Sequence, residues 1–380
     1  MNAPKPSLEL LRGLTDENVL RALMAHDRLT RAEIATRTGI SKPTISDSVQ
    51  RLEQAELIVD TGERTTGRGR VGSYYALAPQ LGTALVASIT PHGVIAEAVD
   101  ARGRAHGQVR TALEADAGQE VAAEALAAAA MQLGGQVGGQ LRLAVVSAAD
   151  PVDRATGRLV HLPDAPFLVG ALDPPAVLAE MVTGPVLVDN DVNWAARAEY
   201  EHGCAQGVDD FVYLHLGEGL GCAVVSDGVV RRGHRGLVGE IAHLYTAGPD
   251  GQAMSFTEVF AALDLRRASS TAIDVPKLVE ILEDTAADAA RVHAALAHAI
   301  SGVLSAALSL ADPQTVVVGG TWGAHPRMLT AIEEHFTRSP RSVPVRAAHL
   351  PLPELTGARA RAVDELGSLI VRSAHPTATW

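Results

Sequence analysis

Two helix starts separated by one glycine turn, at Thr30 and Ser41, constrain this chain more than any bulk property. In Thr30-Arg31-Ala32-Glu33 a hydroxyl and a carboxylate three residues apart can satisfy each other's backbone donors, which predicts a capped helix carrying Ile34 and Ala35. Gly39 ends it. Ser41 caps the next helix, whose first turn tolerates Pro43 because that position needs no amide donor. Ile45, Val49 and Leu52 recur at i, i+4 and i+7 and face inward, leaving Lys42, Thr44, Ser46, Asp47, Ser48 and Gln50 outward. An earlier helix is expected from about Asp16 to His26, with Thr15 as its cap and Val19, Leu20, Leu23 and Met24 as its apolar face.

Two short helices joined by a glycine turn, the second showing small polar side chains, match a recognition helix entering a major groove. The strand-like runs Leu57-Ile58-Val59 and Ser73 to Leu77 flank a Gly and Arg loop, which predicts a hairpin wing. Arg68 and Arg70 on that loop suit a narrow minor groove. Three helices with a hairpin also suit a protein adaptor, and an Arg loop is often a solvated turn. The order of capping box, glycine turn, polar face and Arg wing favours duplex DNA. The contact candidates are Lys42, Pro43, Thr44, Ser46, Ser48, Arg68 and Arg70.

Charge supports this division. Residues 1–75 carry +1 and the remainder carries −13, which together make the net −12. An acidic body repels phosphate, so any DNA contact belongs to the near-neutral head. No run of some eighteen apolar residues suggests a membrane span, and no charged-then-apolar leader suggests export. Cys204 and Cys222 form no metal-type pair, and a cytoplasmic setting is expected.

From about Ala84 short apolar runs alternate with Ala-rich or amphipathic stretches, which predicts α/β layers. Strand candidates include Leu85 to Ile89, Leu141 to Ser147, Phe211 to Leu216 and Val316 to Val318; Val192 to His202 and Val292 to Leu310 are helix candidates.

Several motifs then resemble the ROK family (repressors, open reading frames and sugar kinases). They are Arg31-Ala32-Glu33-Ile34-Ala35, Thr38 to Ser46, Gly67-Arg68-Gly69-Arg70, Asp189-Asn190-Asp191-Val192-Asn193, Leu216 to Gly221, Gly239-Glu240-Ile241-Ala242-His243 and Val316 to Gly320. The resemblance implies a winged helix-turn-helix (1–80), a first ribonuclease-H-like lobe of actin-like sugar-kinase type (81–190, completed by a terminal helix within 357–380) and a second lobe (191–356). It also implies a cleft in which Asn190, Asp191, Glu240, His243 and Glu258 hold sugar hydroxyls.

The departures from the family pattern carry most of the functional argument. Where a kinase has a flexible Gly-bearing phosphate hairpin, this chain has Ser88-Ile89-Thr90-Pro91-His92-Gly93, and Pro91 removes a donor amide. The second phosphate loop carries Glu218 in place of the usual Thr. A carboxylate at such a site opposes a phosphate by about 4 kcal/mol per unit charge at a surface-like dielectric. The segment from His243 to Glu258 lacks the family's three zinc-binding cysteines, so no structural zinc is expected. Asp150 puts a charged side chain in the segment where relatives have Pro-Gly, and Ala242 replaces the signature's second Gly, so a reshaped pocket is expected. Asp191 is expected to contact ligand rather than act as a base.

The expectation is a non-enzymatic regulator, without cofactor or metal, binding double-stranded operator DNA as a homodimer or homotetramer. A sugar or sugar-phosphate effector would control it, most simply as a repressor of carbohydrate genes. The alternatives are an active sugar kinase with a fused DNA-binding head, and a ligand-independent regulator controlled by a protein partner.

Overall fold

The computed structural model describes residues 8–66, 71–114, 117–138, 140–162, 171–268 and 270–374. The head comprises α1 (Leu8–Ala25), β1 (Leu29–Thr30), α2 (Arg31–Thr38), α3 (Lys42–Gln54), β2 (Ile58–Arg64) and β3 (Ser73–Leu77), its strands ordered β1-β3-β2. The capping box forms, with the Thr30 amide donating to Glu33 at 2.8 Å, and Gly39 closes α2 in the left-handed region at φ 71°. Ser41 accepts the Thr44 amide at the start of α3. Ile45, Val49 and Leu52 meet Val19, Leu20 and Leu23 in one buried core.

Two expectations for the head are corrected. α1 begins at Leu8 rather than near Asp16, because Leu8 to Leu14 is rich in good helix formers and the helix runs straight through. Thr15 is therefore internal, and its hydroxyl donates back to the Leu11 carbonyl at 2.8 Å instead of capping. Ser48 does not face outward. It is fully buried and donates to Asp16, whose carboxylate also takes Arg51 at 2.6 Å, so this hydroxyl fastens α3 to α1.

The first lobe holds β4 (Thr83–Thr90), β5 (Gly93–Val99), β6 (Ala105–Ala112), α4 (Gln119–Val137), β7 (Leu141–Ala148), α5 (Pro174–Leu178) and β8 (Val186–Asn190). Helix α6 (Asp191–His202) leads to β9 (Phe211–Leu216), β10 (Leu220–Ser226), β11 (Val229–Val230), β12 (Tyr245–Ala247) and β13 (Ala253–Ser255). The chain continues through α7 (Phe256–Ala262), α8 (Val275–Glu283), α9 (Ala287–Ala311), β14 (Thr315–Gly319), α10 (Pro326–Phe336) and β15 (Val345–Ala347) before α11 (Pro353–Ser373).

The two large sheets, β6-β5-β4-β7-β8 and β11-β10-β9-β14-β15, share one layout: an antiparallel run at one edge and two parallel strands at the other. Each lobe thus repeats one βα design, and the body is α/β. Helix α9 is long and apolar enough to cross a membrane by length and composition. It nonetheless lies in the second-lobe core through Leu296, Ile300, Val303 and Leu304.

The chain passes between lobes twice, along α6 and along the segment from β15 to α11. Fully buried Glu199 fastens the two passages together by accepting the Cys204 amide at 2.8 Å and the His349 amide at 3.3 Å. Helix α11 then returns to the first lobe. Its Ala358, Ala362, Leu366 and Ile370 share one core with Val86, Leu143 and the head residues Val19 to Leu23. At Gly367 a side chain would meet the Met24 sulfur at 3.2 Å, so α11 and α1 lie close together.

Candidate functional site

On the head, Lys42, Pro43 and Thr44 are exposed at the amino end of α3, and Ser46 is half-buried beside them. Asp47 and Gln50 continue the open face. An exposed, positively tipped helix start is the part of a helix-turn-helix that meets bases and phosphates. Arg68 and Arg70 lie outside the described residues. The strands on either side of them pair antiparallel, with Arg64 opposite Ser73, as an expected wing would require.

The body encloses a cavity of about 420 Å³ between the lobes. Asn190 reaches it as the cap of α6: its side-chain oxygen accepts the Val192 amide at 3.0 Å and its amide group donates to the Asp150 carbonyl at 3.2 Å. Asp191 follows at the first position of the helix. Asp150, Glu240, His243 and Glu354 add further polar groups to the wall. Glu258 is the exception among the sequence candidates. It does not line the cavity but caps α7, its carboxylate accepting the Ser255 amide at 2.9 Å and hydroxyl at 2.8 Å.

Crowding of carboxyl groups governs the electrostatics. Burial pushes Asp191 up to about 8, with Glu354, Asp150 and Glu240 adding to the rise and the Val192 amide opposing it. Asp150 is raised to about 6 by burial, against the pull of His161. Glu240, exposed toward the mouth yet enclosed by the walls, is raised to about 7 by desolvation and by Asp150. His215 on β9 is lowered to about 4 by burial and is a neutral ring at physiological pH. Protonated acids beside ionised ones supply both donors and acceptors, which suits vicinal hydroxyl groups.

Phosphate finds no such provision. The turn between β4 and β5 is closed: Pro91 has no amide hydrogen, the His92 amide donates to the Thr90 hydroxyl at 3.3 Å, and a side chain on Gly93 would strike the Thr111 carbonyl at 2.3 Å. Across the cleft, Glu218 ion-pairs with Arg267 and lies 3.1 Å from the His92 ring. Its loop is fixed from behind, because the Trp322 indole donates to the Gly217 carbonyl at 2.9 Å and the Ile273 amide to the Glu218 carbonyl at 2.9 Å. A carboxylate thus lines the cleft on the loop that resembles the family's second phosphate loop, and a phosphate brought beside it would be opposed by its charge.

The loop after His243 does not fit a structural zinc either. It contains no cysteine and closes as the β12–β13 hairpin, anchored where Thr246 donates to the Ala299 carbonyl at 2.7 Å. Packing replaces coordination there.

Sequence reasoning missed Glu354, His215 and Arg267. Glu354 enters the cleft only because α11 returns from the far lobe, and no local pattern announces that.

With this geometry in place, comparison with known proteins is decisive. A family model described as ROK family matches residues 95–352, well over half of the chain. The chain belongs to the ROK family. A second model, winged helix-turn-helix DNA-binding, matches residues 14–59. The crystal structure of a ROK-family transcriptional regulator, a homolog of the E. coli MLC protein, superposes with a TM-score of 0.66 at 16% identity, covering 95% of this chain and 99% of that one. A ROK hexokinase from Thermus thermophilus superposes at 0.59 with 27% identity, covering 75% of this chain and 99% of its own. The hexokinase thus leaves about a quarter of the chain without a counterpart, whereas the regulator covers nearly all of it.

Among curated relatives, a glucokinase of Halalkalibacterium halodurans is 27% identical over 185 residues, 42% of this chain and 56% of that protein. The bifunctional enzyme NanE/NanK of Brucella melitensis is 28% identical over 152 residues, 40% of this chain and 29% of that protein. The match therefore spans little more than half of one relative and under a third of the other.

Proposed function

We propose that this ROK protein is a DNA-binding transcription regulator whose kinase-like cleft holds a small polyhydroxylated effector and performs no phosphoryl transfer. One observation carries the reading: the site that would cradle phosphates is occupied by Glu218, paired with Arg267 and bridged to His92 of the opposite lobe. Phosphoryl transfer depends on converging donors and cations at that place. Asp191 keeps the position of the family's base but has no donor to act upon, and we assign it to ligand contact with Asn190, Glu240 and His243.

The fold offers a route from cleft to head. Helix α11 begins at the cleft with Glu354 and ends against Met24 of α1, so a ligand that shifts the lobes also moves the base of the head. In a symmetric oligomer this changes the spacing of two recognition helices, and operator DNA must alter effector affinity by the same factor.

The test selects genomic fragments retained by the full chain and measures their release by a panel of neutral sugars and sugar phosphates. Lys42→Ala, and separately the pair Arg68→Ala and Arg70→Ala, should weaken binding and flatten its salt dependence by about one unit of slope for each phosphate no longer neutralised. Unchanged slopes refute these roles. A kinase reading draws on the retained Asp191 and on the relatives named as kinases. Sugar-dependent ATP turnover in a coupled assay would establish it in place of ours.

A further inference from the structure

The cleft wall is one-sided in charge. Asp150, Asp191, Glu218, Glu240 and Glu354 line it, and among the described residues no Lys or Arg does. Among the described residues its basic groups are the rings of His92, His215 and His243. Glu218 is occupied by Arg267, which leaves four carboxyl groups around the sugar-sized space.

One of these is unsatisfied. Asp150 is 1% exposed, and its Oδ2 is buried without a hydrogen-bond partner. Glu97 and Asp16, also nearly fully buried, each hold a guanidinium. A buried carboxylate oxygen lacking a donor is costly unless something else supplies one. Asp150 follows β7 at the cleft, its carbonyl held by the Asn190 amide group, so its position is fixed by the same residue that caps α6. Among the described residues His161 answers its charge, through Coulombic attraction rather than a hydrogen bond.

We propose that the effector is a polyhydroxylated ammonium ion, an amino sugar or aminopolyol, whose cationic nitrogen bonds to Asp150 while its hydroxyls meet Asn190, Asp191, Glu240 and His243. This deepens the effector reading given above and rests on it. A primary ammonium brings three donors and one positive charge, which suits an unpartnered carboxylate among further acids. A phosphorylated sugar is opposed by the same groups. A bare divalent cation needs several oxygens converging on one point. Among the described residues the one three-ligand cluster within 4.8 Å lies elsewhere, at Glu199, Cys204 and His349.

The experiment is calorimetric titration of the full chain near pH 7 with three matched pairs: glucosamine and glucose, galactosamine and galactose, mannosamine and mannose. N-acetylglucosamine, which keeps the hydroxyls and loses the charge, and magnesium chloride alone are the controls. At least one amine is expected to bind about tenfold more tightly than its parent sugar, the preference shrinking as salt rises. The N-acetyl form is expected to gain nothing over glucose. In Asp150→Asn, isosteric and free of a buried charge, the ratio of amine to parent affinity should collapse toward one.

Parent sugars binding as tightly as their amines would overturn the inference while leaving the effector reading intact. So would a preference that survives in Asp150→Asn, or an equal response to magnesium alone. If no compound of either kind binds, both readings fall.

Discussion

Arg359→Ala is expected to destabilise the protein by about 3 kcal/mol, because it strands the Glu97 carboxylate in a low-dielectric interior. Glu97 on β5 is 3% exposed, and Arg359 of α11 meets it with Nε at 3.0 Å, while Gln108 of β6 donates to its other oxygen at 2.6 Å. This pair joins the terminal helix to the sheet beneath it. Removing the guanidinium leaves the charge with one neutral donor, too little to replace hydration. Equilibrium denaturation checks the size of the effect. The companion variant Glu97→Gln with Arg359→Met should recover most of the stability, since a neutral pair costs little to bury. A stability for Arg359→Ala within about 0.5 kcal/mol of the parent, the size of an ordinary surface change, would show that solvent reaches Glu97 and that the pair is incidental. Because α11 also supports α1, the single variant should weaken operator binding without any change on the recognition helix.

The head was readable from sequence wherever its structure depends on neighbours in the chain. Thr30 and Glu33, Gly39, Ser41 and Pro43 each act within one helical turn, and each stands where its local chemistry requires. Ser48 escaped this reading because its partner, Asp16, lies 32 residues away, and a serine on a helix gives no sign of a buried carboxylate across the interface. Glu258 is the opposite case. Ser255-Phe256-Thr257-Glu258 carries the same hydroxyl and carboxylate spacing as Thr30 to Glu33, so the sequence itself contained the cap that removes Glu258 from the pocket. In the body, apolar runs such as Leu141 to Ser147 and Phe211 to Leu216 announced central strands. β6 did not, because this edge strand shows exposed and half-buried residues in alternation and has no apolar run. The cleft was legible in its motif residues, Asn190 and Asp191 above all. Glu354 was not, since a place reached by a helix returning from the opposite lobe is written in tertiary packing alone.

The cleft acids give the body a pH dependence of determined sign. Asp191 is raised to about 8 in the folded chain, chiefly by burial. Its unfolded value is near 4. Below that value both states are protonated and the group has no effect on stability; as pH climbs toward 8 the unfolded chain ionises first, and the folded state loses ground. Asp191→Asn removes this penalty. The variant is therefore expected to match the parent near pH 4 and to exceed it increasingly up to about pH 8.5, by about 2 kcal/mol there, less than the full shift converts to because the cleft is open to solvent. Denaturant titrations at four or five pH values would show a difference that rises with pH. A flat or falling difference would mean that Asp191 is ionised in the resting protein and stabilised by donors on the wall. A cationic effector predicts the reverse trend for the parent: bound ammonium favours ionised carboxylates, so ligand should protect most where the unliganded cleft is weakest.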